Sequence, residues 1–484
     1  MQFSDFKKHI EQSIISSNIT RDFELTEITV DSRDVKPGTA FFALSGTSTD
    51  GHEYIEKALL NGACCAVGER KLDFPNYIQV TSVKKVLSEL AALFYGNPEQ
   101  KMDFIGVTGT NGKTTTTYMI EHILSGFIHT GVIGTVEYRW AGKTKKAPNT
   151  TPFIWSWYKL LHDMERDGTK IVVSEVSSHA LEQKRIEGTV FNCALFTNFS
   201  RDHLDYHLTE ENYFAAKKLL FTKHLRSDGK AIINIDDSKG LELLEEIKES
   251  VKTISFSLKN KLADLYCSSV EHLPFGLKLT LNYKTETWET TLPMVGIFNI
   301  YNMMGALLAV SDYIHPKKGC HILEKGISVP GRMEKVGDFA RIFVDYAHSP
   351  DALLNILETA NAIRHGGKII TLFGAGGDRD SGKRPLMGAI AQKYSDKVII
   401  TNDNPRKENP ENIINDIISG VEDKSKITVI NDRSLAIKEA ISSISDKDIL
   451  IIAGKGHEDY QILNSGTIYF SDRDEVLKAI SSRD

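Results

Sequence analysis

The stretch Gly-Val-Thr-Gly-Thr-Asn-Gly-Lys-Thr, residues 106–114, has the residue types of a phosphate-binding loop. Glycines such as Gly109 and Gly112 let backbone amides curve around a phosphate, and a helix that begins there adds partial positive charge. Lys113 can reach the β and γ phosphates, and the Thr114 hydroxyl can bind Mg²⁺. The spacing departs from the common pattern, because valine stands where the first glycine would fall. The alternative is an ordinary glycine-rich turn, but the run predicts nucleotide binding.

A second candidate is Asp-Asn-Pro-Arg at residues 403–406, which follows the apolar run 397–400. Asp, Asn and Pro are ordinary turn residues, because the two polar side chains bond the backbone and the proline ring fixes φ. No turn requires Arg406. The plain explanation is an exposed charge. The alternative is a contact with an anion at the end of a strand, and other residues must decide between the two.

Apolar runs that end in polar turns recur along the chain, and helical patterns lie between them. Continuous apolar strands are typical of parallel sheets covered on both faces, and the alternation predicts a doubly wound α/β fold. Ligands of such sheets collect at the carboxyl ends of the strands, where the polar clusters of this chain lie. The predicted strands include residues 103–109, 170–178, 193–200, 230–237, 368–377, 397–404 and 448–456.

Length and composition indicate a large globular protein. The 484 residues suggest about three domains of roughly 150 residues each. Breaks in the pattern divide the chain into predicted domains at 1–97, 98–329 and 330–484. The net charge of −6 argues against a general nucleic-acid binder. The N-terminus lacks the apolar core of a signal peptide, no run is long enough to span a membrane, and the five cysteines lack metal-ligand spacing, so we expect a cytoplasmic protein.

Twelve short motifs, in order along nearly the whole chain, resemble the Mur ligase family. Its members are ATP-dependent enzymes of peptidoglycan precursor synthesis that join a carboxylate to an amine. Together the motifs are similar to the MurE type, the UDP-N-acetylmuramoyl-tripeptide synthetases. The resemblance implies an N-terminal UDP-sugar-binding domain, a central ATP-binding domain with a mostly parallel phosphate-loop sheet, and a C-terminal Rossmann-like domain that binds the amino acid. The motifs are DSRDVKPGTAFFAL (31–44), TGTNGKT (108–114), NTTP (149–152), EVSSHAL (175–181), NFSRDHLDYH (198–207), AAKKLLF (215–221), FNIYN (298–302), PGRME (330–334), VDYAHSPDAL (344–353), GGDRDSGKRP (376–385), DNPR (403–406) and GKGHEDYQ (454–461).

The resemblance implies a nucleotide and metal site around the phosphate loop. Mg²⁺ prefers oxygen ligands, and the implied metal ligands are Thr114, Glu175, His203 and Lys217 as a carbamate (N6-carboxylysine). A capped or core histidine and a solvated lysine are the plain alternatives, and Lys218 replaces Lys217 if the alignment shifts by one residue. The implied catalytic residues are Lys113, Glu175, His203 and Lys217, and the implied ATP contacts are Gly109, Thr110, Asn111, Gly112, Lys113, Thr114, Thr115, Asn299, Asn302, Arg332 and Asp345.

The resemblance also implies two substrate sites. The UDP-sugar-peptide contacts are Ser32, Asn149, Thr150, Thr151, Ser177, Gln183 and Arg185, with a turn cap at Ser177 and a surface charge at Arg185 as alternatives. In this family, Asp-Asn-Pro-Arg marks members that add meso-diaminopimelate, whose far carboxylate suits the planar fork of arginine. Lysine lacks that carboxylate, so it would leave a desolvated arginine unpaired. The implied amino-acid contacts are Arg379, Asp403, Asn404, Pro405, Arg406, Gly454 and Glu458.

The reaction implied is the ATP-dependent addition of meso-diaminopimelate to UDP-N-acetylmuramoyl-L-alanyl-D-glutamate through an acyl phosphate. We expect ATP and Mg²⁺ as cofactors, a CO₂-derived carbamate on Lys217, and a monomer that binds neither nucleic acid nor membrane. The alternatives are a ligase that adds L-lysine or D-Ala-D-Ala, an enzyme similar to folylpolyglutamate synthetase, and a phosphate-loop switch that performs no ligation.

Overall fold

The computed structural model describes residues 1–45 and 49–482. Three large β-sheets follow one another along the chain, and a two-stranded hairpin lies near its end. Helices alternate with the strands, so the predicted α/β class is confirmed. No helix in this described part of the chain is both long and apolar enough to cross a membrane.

The first sheet is mostly parallel. Its strands are β1 (Ile14–Ser17), β2 (Glu27–Thr29), β3 (Thr39–Phe42), β4 (Cys65–Gly68) and β5 (Tyr77–Val80), and its helices are α1 (Phe3–His9), α2 (Ile55–Leu60) and α3 (Val83–Phe94). The strand order is β1-β5-β4-β3-β2, and only the β1–β5 pair among these is antiparallel. Strand β3 is buried along its whole length, as expected for a strand covered on both faces.

The second sheet has eleven strands and carries the phosphate loop. Its strands are β6 (Asp103–Thr108), β7 (Thr130–Ile133), β8 (Glu137–Trp140), β9 (Lys143–Lys146), β10 (Ile171–Glu175), β11 (Phe191–Phe196), β12 (Leu225–Asn234), β13 (Lys252–Ser257), β14 (Leu265–Leu273), β15 (Gly276–Tyr283) and β16 (Glu286–Leu292). The accompanying helices are α4 (Lys113–Leu124), α5 (Ile154–Arg166), α6 (Ser178–Glu182), α7 (Leu204–His207), α8 (Glu210–Thr222), α9 (Ser238–Ile247), α10 (Phe298–Ala309) and α11 (Pro316–Leu323).

The centre of this sheet is parallel and both edges are antiparallel. The strand order is β16-β15-β14-β13-β12-β11-β6-β10-β7-β8-β9, and every pair from β14 to β7 is parallel. Strand β10 is buried throughout, and Glu175 at its end lies opposite Val107 of β6. The carboxyl ends of β6 and β10 therefore open side by side, which places Glu175 next to the phosphate loop.

The third sheet has the order β17-β18-β22-β19-β20-β21 and is parallel from β18 to β21. Its strands are β17 (Glu334–Lys335), β18 (Arg341–Asp345), β19 (Ile369–Phe373), β20 (Lys397–Ile400), β21 (Ile427–Val429) and β22 (Ile449–Ala453), followed by the hairpin β23 (Tyr460–Leu463) and β24 (Gly466–Tyr469). The helices are α12 (Pro350–Ala362), α13 (Lys383–Tyr394), α14 (Pro410–Ser419), α15 (Arg433–Ser443) and α16 (Asp472–Ser481). Ser349 and Asn409 cap α12 and α14, each followed by a proline that suits the first helical turn.

Each large sheet lies within one of the three predicted domains, whose exact boundaries stay a prediction. One apolar cluster, which includes Leu90, Phe104 and Trp157, continues from the first sheet unit into the second. The first two units therefore share a core. The third unit meets the second through a further apolar cluster, in which Val295 and Phe298 pack with residues such as Leu353, and through the polar groups described next.

Candidate active site

Residues 109–112 turn sharply between β6 and α4. Gly109 and Gly112 have φ angles of 147° and 86°, a region that side chains disfavour. A Cβ atom on Gly109 would lie 1.9 Å from Thr197 Oγ1, and one on Gly112 would lie 2.3 Å from Asn302 Oδ1. Glycine is therefore required at both positions. Because α4 begins at Lys113, its free N-terminal amides border the loop.

Two lysine amines, of the half-buried Lys113 and the buried Lys217, converge on the carbonyl oxygen of Gly109. Lys113 Nζ donates to two loop carbonyls at 2.9 Å, one of them Gly109 O, and Lys217 Nζ donates to Gly109 O at 2.8 Å. Burial lowers the pKa of Lys113, and burial together with the charge of Lys113 holds the pKa of Lys217 well below the usual lysine value. Lys218 instead pairs with Glu246 at 2.6 Å near the surface. Of the two candidate lysines, Lys217 is the one at the phosphate loop.

The Glu175 carboxylate is the centre of a cluster of threonines. It is 1% exposed. Oε2 accepts hydrogen bonds from the hydroxyls of Thr114 at 3.0 Å and Thr135 at 2.9 Å, while Oε1 accepts from Thr135 N at 2.8 Å. The Thr135 hydroxyl also lies 3.0 Å from Thr150 Oγ1. Sequence reasoning missed Thr135, because its place just after β7, a neighbour of β10, follows from the order of strands in the sheet and not from a local pattern.

His203 lies after β11 in a left-handed conformation with φ of 54°. Its ring centroid is 4.9 Å from that of His179 and 5.9 Å from that of Tyr213. Although 44% of the His203 side chain is exposed, desolvation by the surrounding protein lowers its pKa to about 4, so the imidazole is neutral near pH 7 and keeps a lone pair for a cation. Across residues 1–45 and 49–482, no three acidic, cysteine or histidine side chains form a metal cluster by themselves. The hydroxyl and carboxylate oxygens of Thr114 and Glu175 are nevertheless the donors that Mg²⁺ prefers.

Arg332 brings the third sheet unit to the phosphate loop. Its Nη2 donates to Thr114 Oγ1 at 3.2 Å, and its guanidinium carbon lies 4.6 Å from the centre of the Tyr346 ring. A second bond crosses the same boundary, from Asn111 Nδ2 to Asp351 Oδ2 at 3.0 Å. Both units therefore contribute side chains at the place where a nucleotide phosphate would bind.

The polar side chains of three other predicted nucleotide contacts, Asp345, Asn299 and Asn302, form hydrogen bonds to other groups of the protein. Asp345 accepts hydrogen bonds from two backbone N–H groups at 2.6 and 2.7 Å, and burial raises the pKa of this carboxyl. Asn299 donates to a backbone carbonyl at 2.8 Å and accepts from Asn302 Nδ2 at 3.1 Å. These bonds fix the turn after β18 and the start of α10. The role of these residues in nucleotide binding stays a prediction, as does that of the buried Thr110 and Thr115.

The predicted sugar-peptide contacts of the central unit gather beside Glu175. The Thr151 hydroxyl donates to Glu175 O at 2.8 Å and accepts from Ser177 N at 3.2 Å. Arg185 donates to Thr151 O at 2.9 Å and to Gln183 Oε1 at 3.0 Å. The Ser177 hydroxyl accepts from the backbone N–H three residues on, so it caps α6, which was the plain alternative for this residue. The structure thus brings the Thr150–Thr151 loop and the Ser177–Arg185 segment together.

Ser32 lies in a different sheet unit from that group. It follows β2, is 6% exposed, and its carbonyl accepts from Asn61 Nδ2 at 3.2 Å. Asn149 is half-buried, and its carbonyl accepts from the Tyr138 hydroxyl at 2.5 Å. A contact of Ser32 and Asn149 with the same substrate would therefore need a ligand long enough to reach from the first unit to the second.

The loops after β20 and β22 form a polar cluster around Asn404, which we call the Asn404 cluster (Asp403, Asn404, Gly454, Lys455 and Glu458). Asn404 Nδ2 donates to Glu458 Oε2 at 2.8 Å, and the same oxygen accepts from Lys455 Nζ at 3.1 Å. Gly454 has φ of 115°, and a Cβ there would lie 2.5 Å from Asp403 Oδ2. Lys455 is fully buried and was missed from sequence, because a lysine in a loop usually signals a solvated charge.

Arg406 is half-buried, and its guanidinium is held by backbone carbonyls. Nη1 donates to Gly377 O at 2.9 Å and to Asn404 O at 3.4 Å. Among the ion pairs of the described residues, none involves Arg406 or Arg379. Arg379 is exposed and donates to a backbone carbonyl at 3.2 Å. Arg379 and Arg406 thus place two guanidinium groups near the Asn404 cluster and the buried Pro405. Two such groups suit an anionic ligand.

Comparison with known proteins agrees with this geometry. Residues 24–95 match the sequence family "Mur ligase family, catalytic domain", residues 107–310 match "Mur ligase middle domain", and residues 331–456 match "Mur ligase, glutamate ligase domain". A protein of Clostridium tetani named UDP-N-acetylmuramoyl-L-alanyl-D-glutamate--2,6-diaminopimelate ligase is 42% identical over 99% of both chains. The chain belongs to the Mur ligase family.

Solved structures show the same relationship for this Mur ligase. A structure titled as a UDP-N-acetylmuramoyl-L-alanyl-D-glutamate--2,6-diaminopimelate ligase has a TM-score of 0.66 and 33% identity over 99% of both chains. MurF from Acinetobacter baumannii has a TM-score of 0.72 over 99% of this chain and 98% of its own. Because MurF is only 18% identical, that likeness supports the fold alone.

Proposed function

We propose that this Mur ligase uses ATP to join meso-diaminopimelate to UDP-N-acetylmuramoyl-L-alanyl-D-glutamate in peptidoglycan precursor synthesis. The names of its relatives support the two substrates. The observation that carries the choice of amino acid is the half-buried Arg406, whose guanidinium binds two backbone carbonyls rather than a carboxylate of the described chain. Such a guanidinium suits the far carboxylate of diaminopimelate, a group that lysine lacks.

The reaction has two steps. A substrate carboxylate oxygen attacks the γ-phosphorus of ATP, so a new P–O bond forms, the bond to the β-phosphate oxygen breaks, and ADP leaves. The amine of the incoming amino acid then attacks the acyl carbon, and phosphate leaves as the amide forms and the amine loses a proton. Catalysis depends on alignment and on compensating negative charge. The groups of this chain at the phosphate loop that can compensate negative charge include Lys113, Arg332 and the N-terminal amides of α4.

A Mg²⁺ ion, when bound with ATP, would neutralise part of the charge of the phosphates. Thr114 and Glu175 are the oxygen donors that suit it, and the neutral imidazole of His203 is a further donor. Thr135 holds Glu175 through both a backbone and a hydroxyl hydrogen bond. The carboxylate therefore has a fixed orientation before any ion binds.

Lys217 is proposed to carry a carbamate. The amine nitrogen would attack CO₂, forming an N–C bond and releasing a proton, which requires the amine to be neutral. Burial and the Lys113 charge hold the pKa of Lys217 well below the usual lysine value, which favours the neutral amine that this step requires. The carbamate would offer an anionic oxygen to the cation, whereas a free ammonium on Lys217 would repel it.

The remaining predicted contacts complete the proposal. Ser32 binds the UDP group from the first domain, and Asn149, Thr150, Thr151, Ser177, Gln183 and Arg185 bind the sugar and peptide. The three domains keep the predicted boundaries 1–97, 98–329 and 330–484, and the protein acts as a cytoplasmic monomer. The five cysteines are free thiols, which suits a reducing compartment.

The test is an amino-acid panel with purified protein, ATP, Mg²⁺ and the UDP-linked dipeptide. We expect rapid ADP release with meso-diaminopimelate. Release should be slow with L-lysine, D-Ala-D-Ala or L-glutamate. Faster release with lysine would assign the lysine-adding reaction, and release with glutamate on a folate substrate would assign the folylpolyglutamate type. Release at the same rate with every amino acid would contradict a ligase.

A further inference from the structure

The buried guanidinium of Arg384 connects the two loops that carry Arg379 and Arg406. Arg384 is the second residue of α13 and is 1% exposed. Its Nη1 and Nη2 each donate to one carboxylate oxygen of Glu408 at 2.7 Å, and Nη2 also donates to Gly376 O at 3.1 Å. Glu408 lies in the loop after β20, and Gly376 lies in the loop after β19. One side chain therefore bonds to both loops at once.

Further hydrogen bonds join the same loops. Glu408 Oε2 accepts from Asp378 N at 3.0 Å, and Asp378 Oδ2 accepts from Lys407 N at 3.2 Å. The bond from Arg406 Nη1 to Gly377 O, at 2.9 Å, crosses the same gap. We call Arg384, Glu408 and Asp378 the Arg384 clamp. Through it, residues 376–379 and 404–408 form one hydrogen-bonded unit rather than two independent loops.

We propose that the Arg384 clamp determines selectivity for the amino acid by fixing Arg379 and Arg406 relative to each other. This inference rests on the proposed function, because it assumes that the two arginines bind a carboxylated amino acid. A guanidinium fork binds a carboxylate tightly only if its orientation is set in advance. Arg384 itself is buried beneath the loops, so it is a positioning residue. An amino acid without a far carboxylate gains nothing from this arrangement.

The chain offers a matched pair of variants. Arg384 Nη1 donates both to Glu408 Oε1 at 2.7 Å and to Asp416 Oδ2 at 2.8 Å, but Asp416 lies in α14 and bonds neither loop. Glu408→Gln and Asp416→Asn thus make the same chemical change beside the same guanidinium. The glutamine would also turn its side-chain N–H toward an N–H group of Arg384. One of the two hydrogen bonds between Arg384 and residue 408 would then be lost, and the bridge between the loops would weaken.

Steady-state rates should be measured for both variants with meso-diaminopimelate, L-lysine and ATP varied in turn. We expect Glu408→Gln to lower kcat/KM for meso-diaminopimelate about tenfold, the effect of losing one charge-assisted hydrogen bond. The kcat/KM for lysine and the KM for ATP should change little in Glu408→Gln. All these values for Asp416→Asn should resemble those of the wild type. Equal behaviour of the two variants, or an equal rise in the KM for ATP, would overturn the proposal.

A further variant covers the case in which Glu408→Gln does not fold, as judged by thermal unfolding. Asp378 is exposed and has φ of 53°, so Asp378→Gly adds no backbone strain while it removes the bond to Lys407 N. It should lower selectivity for meso-diaminopimelate over lysine about threefold. A wild-type protein that does not use diaminopimelate would refute the proposed function. A wild-type protein that does, with selectivity unchanged in every folded clamp variant, would refute the clamp alone.

Discussion

Replacing Arg406 with alanine removes the group that we assign to the far carboxylate of the amino acid. The backbone φ of 55° is as unfavourable for alanine as for arginine, so the change adds little strain. The guanidinium already bonds to backbone oxygens at 2.9 and 3.4 Å, which leaves its Nη2 and Nε for a ligand. A fork of two charge-assisted hydrogen bonds, each worth about 1.5–3 kcal/mol, would be lost. Because Arg406 is only half-buried, we discount this value for solvent screening. We expect a loss of about 2–4 kcal/mol of binding free energy, which lowers kcat/KM for meso-diaminopimelate about 30- to 700-fold.

The assay is ADP release, with meso-diaminopimelate varied at saturating ATP and ATP varied at saturating amino acid. The KM for diaminopimelate should rise far more than the KM for ATP. Arg406→Lys should give an intermediate value, since lysine offers a point charge in place of a planar fork. Lys407→Ala, at the exposed neighbouring position, is the control and should be close to wild type. Equal changes in both KM values for Arg406→Ala would refute the reasoning.

Three further predictions concern other parts of the molecule. Lys217→Ala should remove most activity, with partial rescue by short carboxylic acids, while Lys218→Ala should keep full activity because its partner is at the surface; full activity of unrescued Lys217→Ala would exclude a ligand role. Thr135→Val keeps the backbone N–H but loses the hydroxyl bond to the buried carboxylate, so the Mg²⁺ concentration for half-maximal activity should rise about tenfold. Thr135→Ser should restore it, and an unchanged Mg²⁺ titration of the valine variant would contradict that role. Asp472→Asn removes the carboxylate charge that pairs with Arg433 at 2.7 Å, where both side chains are fully buried. It should lower the free energy of unfolding in urea by about 3–5 kcal/mol, and a loss below about 1 kcal/mol would contradict this.

The parallel centres of the sheets could be predicted from sequence, but the antiparallel edges of the second sheet could not. Strands β10 and β22 are buried along their whole length, and their continuous apolar runs show it. Strand β15, in contrast, alternates between buried and more exposed residues, because only one of its faces packs on the core. Such a short alternating run competes with many other patterns in a chain of this length.

The candidate site shows the same division. Lys113 and Thr114 follow from a local motif, and Glu175 follows from the end of an apolar strand. Thr135 acts on Glu175 from forty positions away in the sequence, through a sheet neighbour that no local pattern reveals. Lys455 is fully buried against an amide and a carboxylate that the fold brings to it. Tertiary packing therefore determines the groups that hold the predicted residues in place.

The most direct test of the central claim is the mass of the product. Purified protein, ATP, Mg²⁺, UDP-N-acetylmuramoyl-L-alanyl-D-glutamate and an equimolar mixture of meso-diaminopimelate and L-lysine should be incubated together. We expect one UDP-linked tripeptide that contains diaminopimelate, formed with one ADP and one phosphate per molecule. A tripeptide that contains mainly lysine, or ADP released without a lengthened peptide, would contradict the account.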